Sequence, residues 1–470
     1  MEKLNGKFIK NLEIVFLISW EILLIIRMIS VYSLLPYNLD TLLFTIISFF
    51  GIILLLKNLI QWVKHERSIN LYLFLFLCAS LMSTFINGPS NILGNFKILI
   101  WQSLYCLVVF EIGKENRKKV FSIFSSILKV SWFILIFISI IMFFLKFSFV
   151  APLEKLYYGL RIGFVENRLF GVFVEPNLAA TVSFVVVLLS LSTIKKNETT
   201  ISRIFPIVNI IFQIIFISLS GSRTVLIEII ACTFIGCFFL TIKRSKQMTS
   251  IMKGICTSLI LTATFLFGLS VIQKACITIA NQYEVPSITS SFDKKKLNDN
   301  KVDKAVSLDR KDVEDNSDIS NSRFKLWGSA YEIFKDTPIF GTSPRGLVPY
   351  AQKNLPHTWI AHKGQTPHNM FFYSLASIGL LGTIPLFLFL LLSIFRTLKN
   401  LWNAIEINYS QYLTDALIVL AVLISGLLAP DLIFYNKFGS LLFWLFWGAI
   451  SLTKKDIILN KKSSGFIEEK

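Results

Sequence analysis

Long apolar runs alternate with short polar clusters along the whole chain. The runs lie at 12–35, 38–57, 70–88, 96–112, 120–145, 170–194, 201–219, 222–242, 251–272, 368–395, 411–430 and 434–453. Most approach the roughly 20 residues that a helix needs to cross a hydrocarbon core of about 30 Å. The pattern predicts an all-α polytopic membrane protein with about 12 transmembrane helices and one large extracytoplasmic loop. Helices 1–9 would occupy 1–272, the loop 273–367, helices 10–12 the stretch 368–453, and a cytoplasmic tail 454–470. The first run is read as a helix and not a signal peptide, because it is long, carries Glu21 and Arg27, and lacks a small-residue cleavage site. Composition agrees: 54% hydrophobic and 16% charged residues exclude a water-soluble globule.

The net charge of +18 would suggest nucleic acid in a soluble protein, so the placement of the charges decides. Basic residues cluster in alternate connections, at Lys3/Lys7/Lys10, Lys57/Lys64/Arg67, Arg117/Lys118/Lys119, Lys195/Lys196/Arg203 and Lys243/Arg244/Lys246. The short opposite connections carry only Lys97, Lys146, Lys155, Arg161, Arg168, Arg223 and Lys437. By the positive-inside rule both termini are cytoplasmic, and the basic excess is a topology signal that makes a nucleic-acid partner unnecessary. Of the six cysteines only Cys276 falls outside the expected spans, so no extracytoplasmic disulfide is expected within one chain.

A 95-residue outer loop exceeds what a connection requires. Its stretch 289–322 is rich in charges of both signs and poor in bulky apolar groups, which predicts a mobile insert. Phe324, Trp327, Tyr331 and Phe334 then recur at helical spacing between Ser322, a candidate N-cap, and Asp336-Thr337-Pro338. They predict an amphipathic helix over 323–336, lying on the membrane or packed over the bundle. Arg323 in its first turn would add a guanidinium to backbone N–H groups that already favour an anion.

Further polar groups belong to the same side by this topology. Arg161 and Arg168 precede Glu175-Pro176-Asn177, where a proline either interrupts the sixth span beside a cavity or starts a helix with Asn177 satisfying loose amides. A carboxylate such as Glu175 at the membrane boundary calls for a partner. Ser220-Gly221-Ser222-Arg223 forms a tight turn above Glu228, with Arg223 either snorkelling to the interface or binding. His357, His362 and His368 cluster at the end of the loop. Their spacing suits no familiar zinc motif, so no metal or other cofactor is expected. His368, followed by Asn369, is either structural or a neutral general base for a sugar hydroxyl.

Taken in order, Arg168-x-x-Gly171 with Pro176-Asn177, Ser220-x-Ser222-Arg223, Arg323-x-x-x-Trp327 with Pro338-Ile339-Phe340-Gly341, and His368-Asn369 with Gly379-Leu380-Leu381-Gly382 resemble the O-antigen ligase and polymerase superfamily, which includes capsular polysaccharide polymerases. The resemblance covers roughly 161–382. It implies a metal-independent glycosyltransferase of the lipid-sugar-dependent (GT-C-like) architecture, active on the outer face of a bacterial cytoplasmic membrane. Arg223 and Arg323 would neutralise the diphosphate of an undecaprenol-linked saccharide, and His368 would activate the acceptor hydroxyl. Arg168, Arg161, Arg345, Glu175, Asn177 and Asn369 would contact substrate. The loop departs from the basic outer loops described for such polymerases, holding 14 Lys and Arg against 11 Asp and Glu. The expected activity is polymerisation of lipid-linked repeat units, with membrane lipid, a chain-length regulator and a flippase as candidate partners. The alternatives are a ligase using another acceptor, a lipid-sugar transporter with Glu21, Arg27, Lys129 and Glu228 lining its path, or a non-catalytic assembly subunit.

Overall fold

A computed structural model describes residues 2–115, 117–153, 156, 159–196, 199–243, 245–282, 289–291, 306–308, 322–404, 408–429 and 432–451. Apolar runs dominate it as helices: α1 (Glu2–Arg27), α2 (Tyr37–Val63), α3 (Leu71–Asn87), α4 (Ile92–Glu115, with a π-helical turn at Tyr105–Val109), α5 (Lys118–Phe144), α6 (Pro176–Lys196), α7 (Thr200–Ser220), α8 (Arg223–Ile242) and α9 (Met248–Gln282). The C-terminal half adds α10 (Arg323–Asp336), α11 (Leu347–Asn354), α12 (Trp359–Lys363), α13 (Met370–Asn403), α14 (Tyr409–Leu428) and α15 (Phe438–Ile450). Among the described residues nine helices are long and apolar enough to cross a membrane, fewer than the twelve expected. The apolar helices α3 and α15 have 17 and 13 residues, short of a full crossing. Every residue of α15 is buried, so it serves as the centre of the bundle, with Trp444 and Trp447 packed against Phe389 of α13.

Three boundaries differ from expectation. The protein is not all-α: β1 (Ser148–Ala151), β2 (Leu160–Val165), β3 (Arg168–Gly171) and β4 (Thr289–Ser291) form a sheet in the order β3-β2-β1-β4. β2 and β3 meet at Glu166-Asn167, both at positive φ (53° and 55°), a tight hairpin turn that asparagine tolerates. The sixth span therefore does not begin at 170. The chain runs as strand to Gly171, pairs with the end of α1 through Ser30 N to Val172 O (2.7 Å) and Val174 N to Met28 O (3.0 Å), and starts α6 with Pro176 as its first residue. The ninth helix runs ten residues past 272, which places Cys276 inside α9, buried. Most of the expected 289–322 insert and the expected tail 454–470 lie outside the described residues.

α10 buries Leu326, Ala330 and Ile333, while Phe324 and Tyr331 of the expected apolar stripe stay exposed and Trp327 stacks on Phe372 of α13 (5.4 Å, 17°). Ser322 stands in the left-handed region (φ 63°) and supplies no side-chain cap.

α13 is broken at Gly379 (φ 60°, ψ −164°), and the segment 338–343 fills the break. Leu380 N and Leu381 N donate to the Pro338 and Ile339 carbonyls (2.9 and 3.2 Å). Thr342 N and Ser343 N donate to the freed carbonyls of Ala376 and Ser377 (2.9 and 2.8 Å). A helix can break at membrane depth only when neighbouring protein satisfies the released groups in this way. Two sequence pieces 38 residues apart, Pro338-Ile339-Phe340-Gly341 and Gly379-Leu380-Leu381-Gly382, thus become one packed unit.

At the opposite end of the bundle, ion pairs tie α1, α2, α4 and α5 together. The buried Glu13 accepts from Lys57 (2.7 Å) and Arg117 (2.5 Å); Arg117 also pairs with Glu115 (3.1 Å), and Arg67 reaches both Glu115 and Asn58. Glu13→Gln takes the carboxylate from Lys57 and leaves Arg117 with Glu115 alone. It is expected to cost about 3 kcal/mol, read as a lowered midpoint in thermal unfolding of the detergent-solubilised protein. An unchanged midpoint would mean that this network contributes nothing.

Candidate functional site

Several helices begin at the sheet end of the bundle, and each places a chemically active residue at or next to its start: Glu175 before α6, Arg223 at the head of α8, Arg323 at the head of α10, His368 before the cap of α13, and Lys437 before α15. Helix N-termini carry unpaired N–H groups and the positive end of the dipole, so this end of the bundle favours an anion.

Lys437 and Glu175 pair, and His368 and Arg323 lie within electrostatic reach. Lys437 Nζ lies 3.0 and 3.2 Å from the two Glu175 carboxylate oxygens. That ammonium, opposed by burial and helped by His368, holds the Glu175 carboxyl below its ordinary range. His368 is half-buried, and burial first, then Lys437 and Arg323, push its pKa down to about 4, with Glu175 opposing. The imidazole is therefore neutral at physiological pH, with a lone pair to accept a proton, among groups that favour an anion. Lys437 is held in place from beneath: Asn436 Oδ1 accepts from Trp20 Nε1 (3.0 Å) and from Tyr105 OH (2.7 Å), the latter presented by the π-helical turn of α4.

Any activity that depends on the neutral ring is expected to persist on acidification and to fall only near pH 4. The measurement is a pH–rate profile, and an acid limb at 6.5, the ordinary imidazole value, would contradict this placement. The same depression removes stability as pH falls from 6.5 towards 4, because the unfolded chain takes up the proton first.

Glu175 and Lys437 also form one wall of a cavity of about 440 Å³ lined by Arg27, Lys97 and Arg345 and by the rings of Tyr32, Tyr37, Phe44, Trp101 and Tyr435. The pairing of residues 172–174 with the end of α1 carries Arg27 to this wall.

The remaining expected site residues are held largely by the protein itself. Arg168 is buried, donates through Nε to Ser220 O (2.9 Å) and through a terminal nitrogen to Asn177 Oδ1 (2.6 Å), and so clamps the turn before Arg223 to the first turn of α6. Arg161 pairs with Glu166 across the hairpin (2.8 Å) and lies over Phe170. Asn369 caps α13 by accepting from Phe371 N and Phe372 N (2.8 and 3.1 Å) and ties it to Leu427 O. Arg223 is exposed, and it is not among the residues lining the cavity. The three histidines separate: His357 pairs with Glu332 (3.0 Å), His362 is exposed at the end of α12, and only His368 joins the cluster. Among the described residues no three His, Cys, Asp or Glu side chains group as a metal site.

Lys437, Lys97 and Arg27 were legible only as topology charges or span charges. The one local hint was that Lys437 follows Tyr435-Asn436 in a short connection between apolar runs. Of the four charges considered for a transport path, Arg27 alone lines the cavity; Lys129 bonds Thr193 (2.8 Å), Glu228 accepts from Thr181 (2.8 Å), and Glu21 is buried in α1.

The bundle and its site define a polytopic membrane protein that can hold an anion beside a neutral base. Residues 208–387 match the family described as O-antigen ligase, so this part of the chain is similar to that family. The match runs from α7 into α13 and includes Arg223, Arg323, Arg345 and His368; Glu175 and Lys437 lie outside it. No curated protein matches the chain.

Proposed function

We propose that the protein is a polysaccharide polymerase that joins undecaprenyl-diphosphate-linked repeat units on the outer face of a bacterial cytoplasmic membrane. The Glu175–Lys437 ion pair, with His368 and Arg323 within electrostatic reach at neighbouring helix N-termini, carries this reading. The acceptor hydroxyl oxygen attacks the anomeric carbon of the donor and its proton passes to His368. The anomeric C–O bond breaks and its electron pair leaves on the diphosphate. Arg323, Lys437 and the helix ends stabilise that growing charge, with Arg223 approaching from α8. Fixed cations can do this without a metal, so transfer is expected to survive chelation. Arg168 acts as a positioning residue through Ser220 and Asn177. Such a site on a lipid-facing helix bundle suits the lipid-sugar-dependent glycosyltransferase architecture, with both termini cytoplasmic by charge placement.

The family description favours a second reading, a ligase, which differs only in the acceptor. The test is the protein reconstituted in liposomes with undecaprenyl-diphosphate-linked repeat units and chelator, products being separated by size. A ladder of multiples supports the polymerase. A single transfer that appears only when a lipid A core or wall acceptor is added supports the ligase. Lipid-linked sugar that crosses the bilayer unchanged overturns both in favour of a transporter.

A further inference from the structure

Asn436 lines the cavity beside Glu175, and its side-chain amide is fixed from behind. The atom 3.0 Å from Trp20 Nε1 must be the oxygen, because an indole N–H only donates. Tyr105 OH donates to that same Oδ1 over 2.7 Å and takes up its second lone pair. Both donors are buried, one on α1 and one in the π-helical turn of α4, and their rings stack with centres 4.6 Å apart. The Asn436 main-chain carbonyl accepts from Arg27 (3.4 Å), so the residue is pinned at its backbone as well as at its oxygen.

The NH2 arm of the amide is left over. It has no hydrogen-bond partner among the described residues, yet it is not sealed inside the protein. A donor held in a fixed direction on a cavity wall selects for an acceptor. Asn436 has no lone pair left to receive a proton in return, so the complementary group is one that only accepts. A sugar hydroxyl accepts and must also place its own proton; a carbonyl oxygen accepts only. Apolar surface lies close by: Trp101 stands 5.0 Å from the Trp20 ring that anchors the amide, Phe44 is set edge-on to Trp101 (5.8 Å, 85°), and both line the cavity with Met28. A carbonyl that carries a methyl group matches both features. A carboxylate also only accepts, but it brings no apolar part to that wall.

Resting on the polymerase reading, we propose that Asn436 determines specificity, its NH2 donating to the acetamido carbonyl of an N-acetylated sugar in the saccharide that occupies this cavity. The acetamido methyl packs towards Phe44 and Trp101. Trp20 and Tyr105 are positioning residues that act through Asn436.

Equilibrium binding to the full-length protein in nanodiscs, followed by saturation-transfer NMR, tests this without turnover. The probes are diacetylchitobiose, cellobiose, which has the same linkage and a hydroxyl in place of each acetamido group, and digalacturonate. The wild type is expected to bind diacetylchitobiose about tenfold more tightly than cellobiose, from one neutral hydrogen bond and a buried methyl. Asn436→Asp keeps an oxygen for Trp20 and Tyr105 and removes the donor; it should abolish the preference and leave cellobiose binding unchanged. Asn436→Ala should do the same without adding a charge. Tyr105→Phe should lower the preference only part of the way, since Trp20 still holds the oxygen. Equal wild-type affinity for diacetylchitobiose and cellobiose overturns the proposal, and that comparison needs no variant. Loss of both probes together in Asn436→Asp and Asn436→Ala overturns it in favour of a purely structural role, and tighter binding of digalacturonate than of diacetylchitobiose overturns it in favour of an acid sugar. The preference without a ladder in liposomes would refute the polymerase and keep this assignment; a ladder without the preference would do the reverse.

Discussion

His368→Asn is expected to lower the rate of glycosyl transfer by about 10²–10⁴-fold, the usual contribution of a positioned general base. Asparagine is the informative replacement because His368 sits at φ 52°, in the left-handed region that asparagine tolerates better than other side chains. Alanine there would mix loss of the base with backbone strain next to the cap of α13. The side-chain amide cannot take up the acceptor proton, yet it fills similar space above Asn369. Steady-state kinetics in liposomes should show the loss in kcat, with KM for the lipid-linked donor little changed, since in the proposed mechanism Arg323 and Lys437 would still hold the diphosphate. Unfolding midpoint and farnesyl diphosphate binding serve as controls for folding and for the anion seat. A variant that folds and retains more than about a tenth of the wild-type rate would remove His368 from the proton transfer, because a base contributes at least about 10²-fold.

Gly379→Ala should be strongly destabilising. At φ 60° and ψ −164°, Gly379 occupies a conformation open to glycine and costly to alanine. A Cβ there would run into the Ile339 carbonyl and stand 2.7 Å from Phe340 N, both backbone atoms of the segment that fills the break. Neither can move without releasing the hydrogen bonds from Leu380 and Leu381 to Pro338 and Ile339. The steric strain and two lost buried hydrogen bonds amount to about 4 kcal/mol or more. The expected result is little folded protein in detergent, and a much lower unfolding midpoint for what remains. Gly268→Ala is the matched control: that position lies in α9 with open space around it, so alanine should be neutral or mildly favourable. Equal midpoints for the two variants would mean that the broken helix is not a structural requirement.

The break also brings the resemblance motifs together. Their order along the chain was visible, but that Pro338–Gly341 plugs the gap at Gly379 was not, because nothing in either segment names its partner. α10 divides in the same way. Its ends, from Arg323 to Asp336, follow from local signals, and its rotation does not. Leu326, Ala330 and Ile333 turn inward, Trp327 stacks on Phe372 of α13, and Phe324 and Tyr331 of the aromatic stripe stay exposed.

Run length, charge bias and helix ends were legible in the sequence because they are sums over neighbouring residues. They determined a many-helix membrane protein, the side on which the polar groups gather, and His368, Arg223 and Arg323 as the groups to watch. The strands at 148–171 escaped because an apolar segment beside a membrane span scores alike as strand or helix, and only the Glu166-Asn167 turn separates the two. Tertiary structure alone decided the division of labour among the polar residues. Arg161, Arg168 and Asn369 are taken up by internal partners, whereas Lys437, read along the chain only as a topology charge, reaches Glu175 from 262 positions away. Hydrophobicity belongs to a stretch of chain and can be read along it; an ion pair belongs to two atoms a few ångströms apart, and only the fold sets that distance.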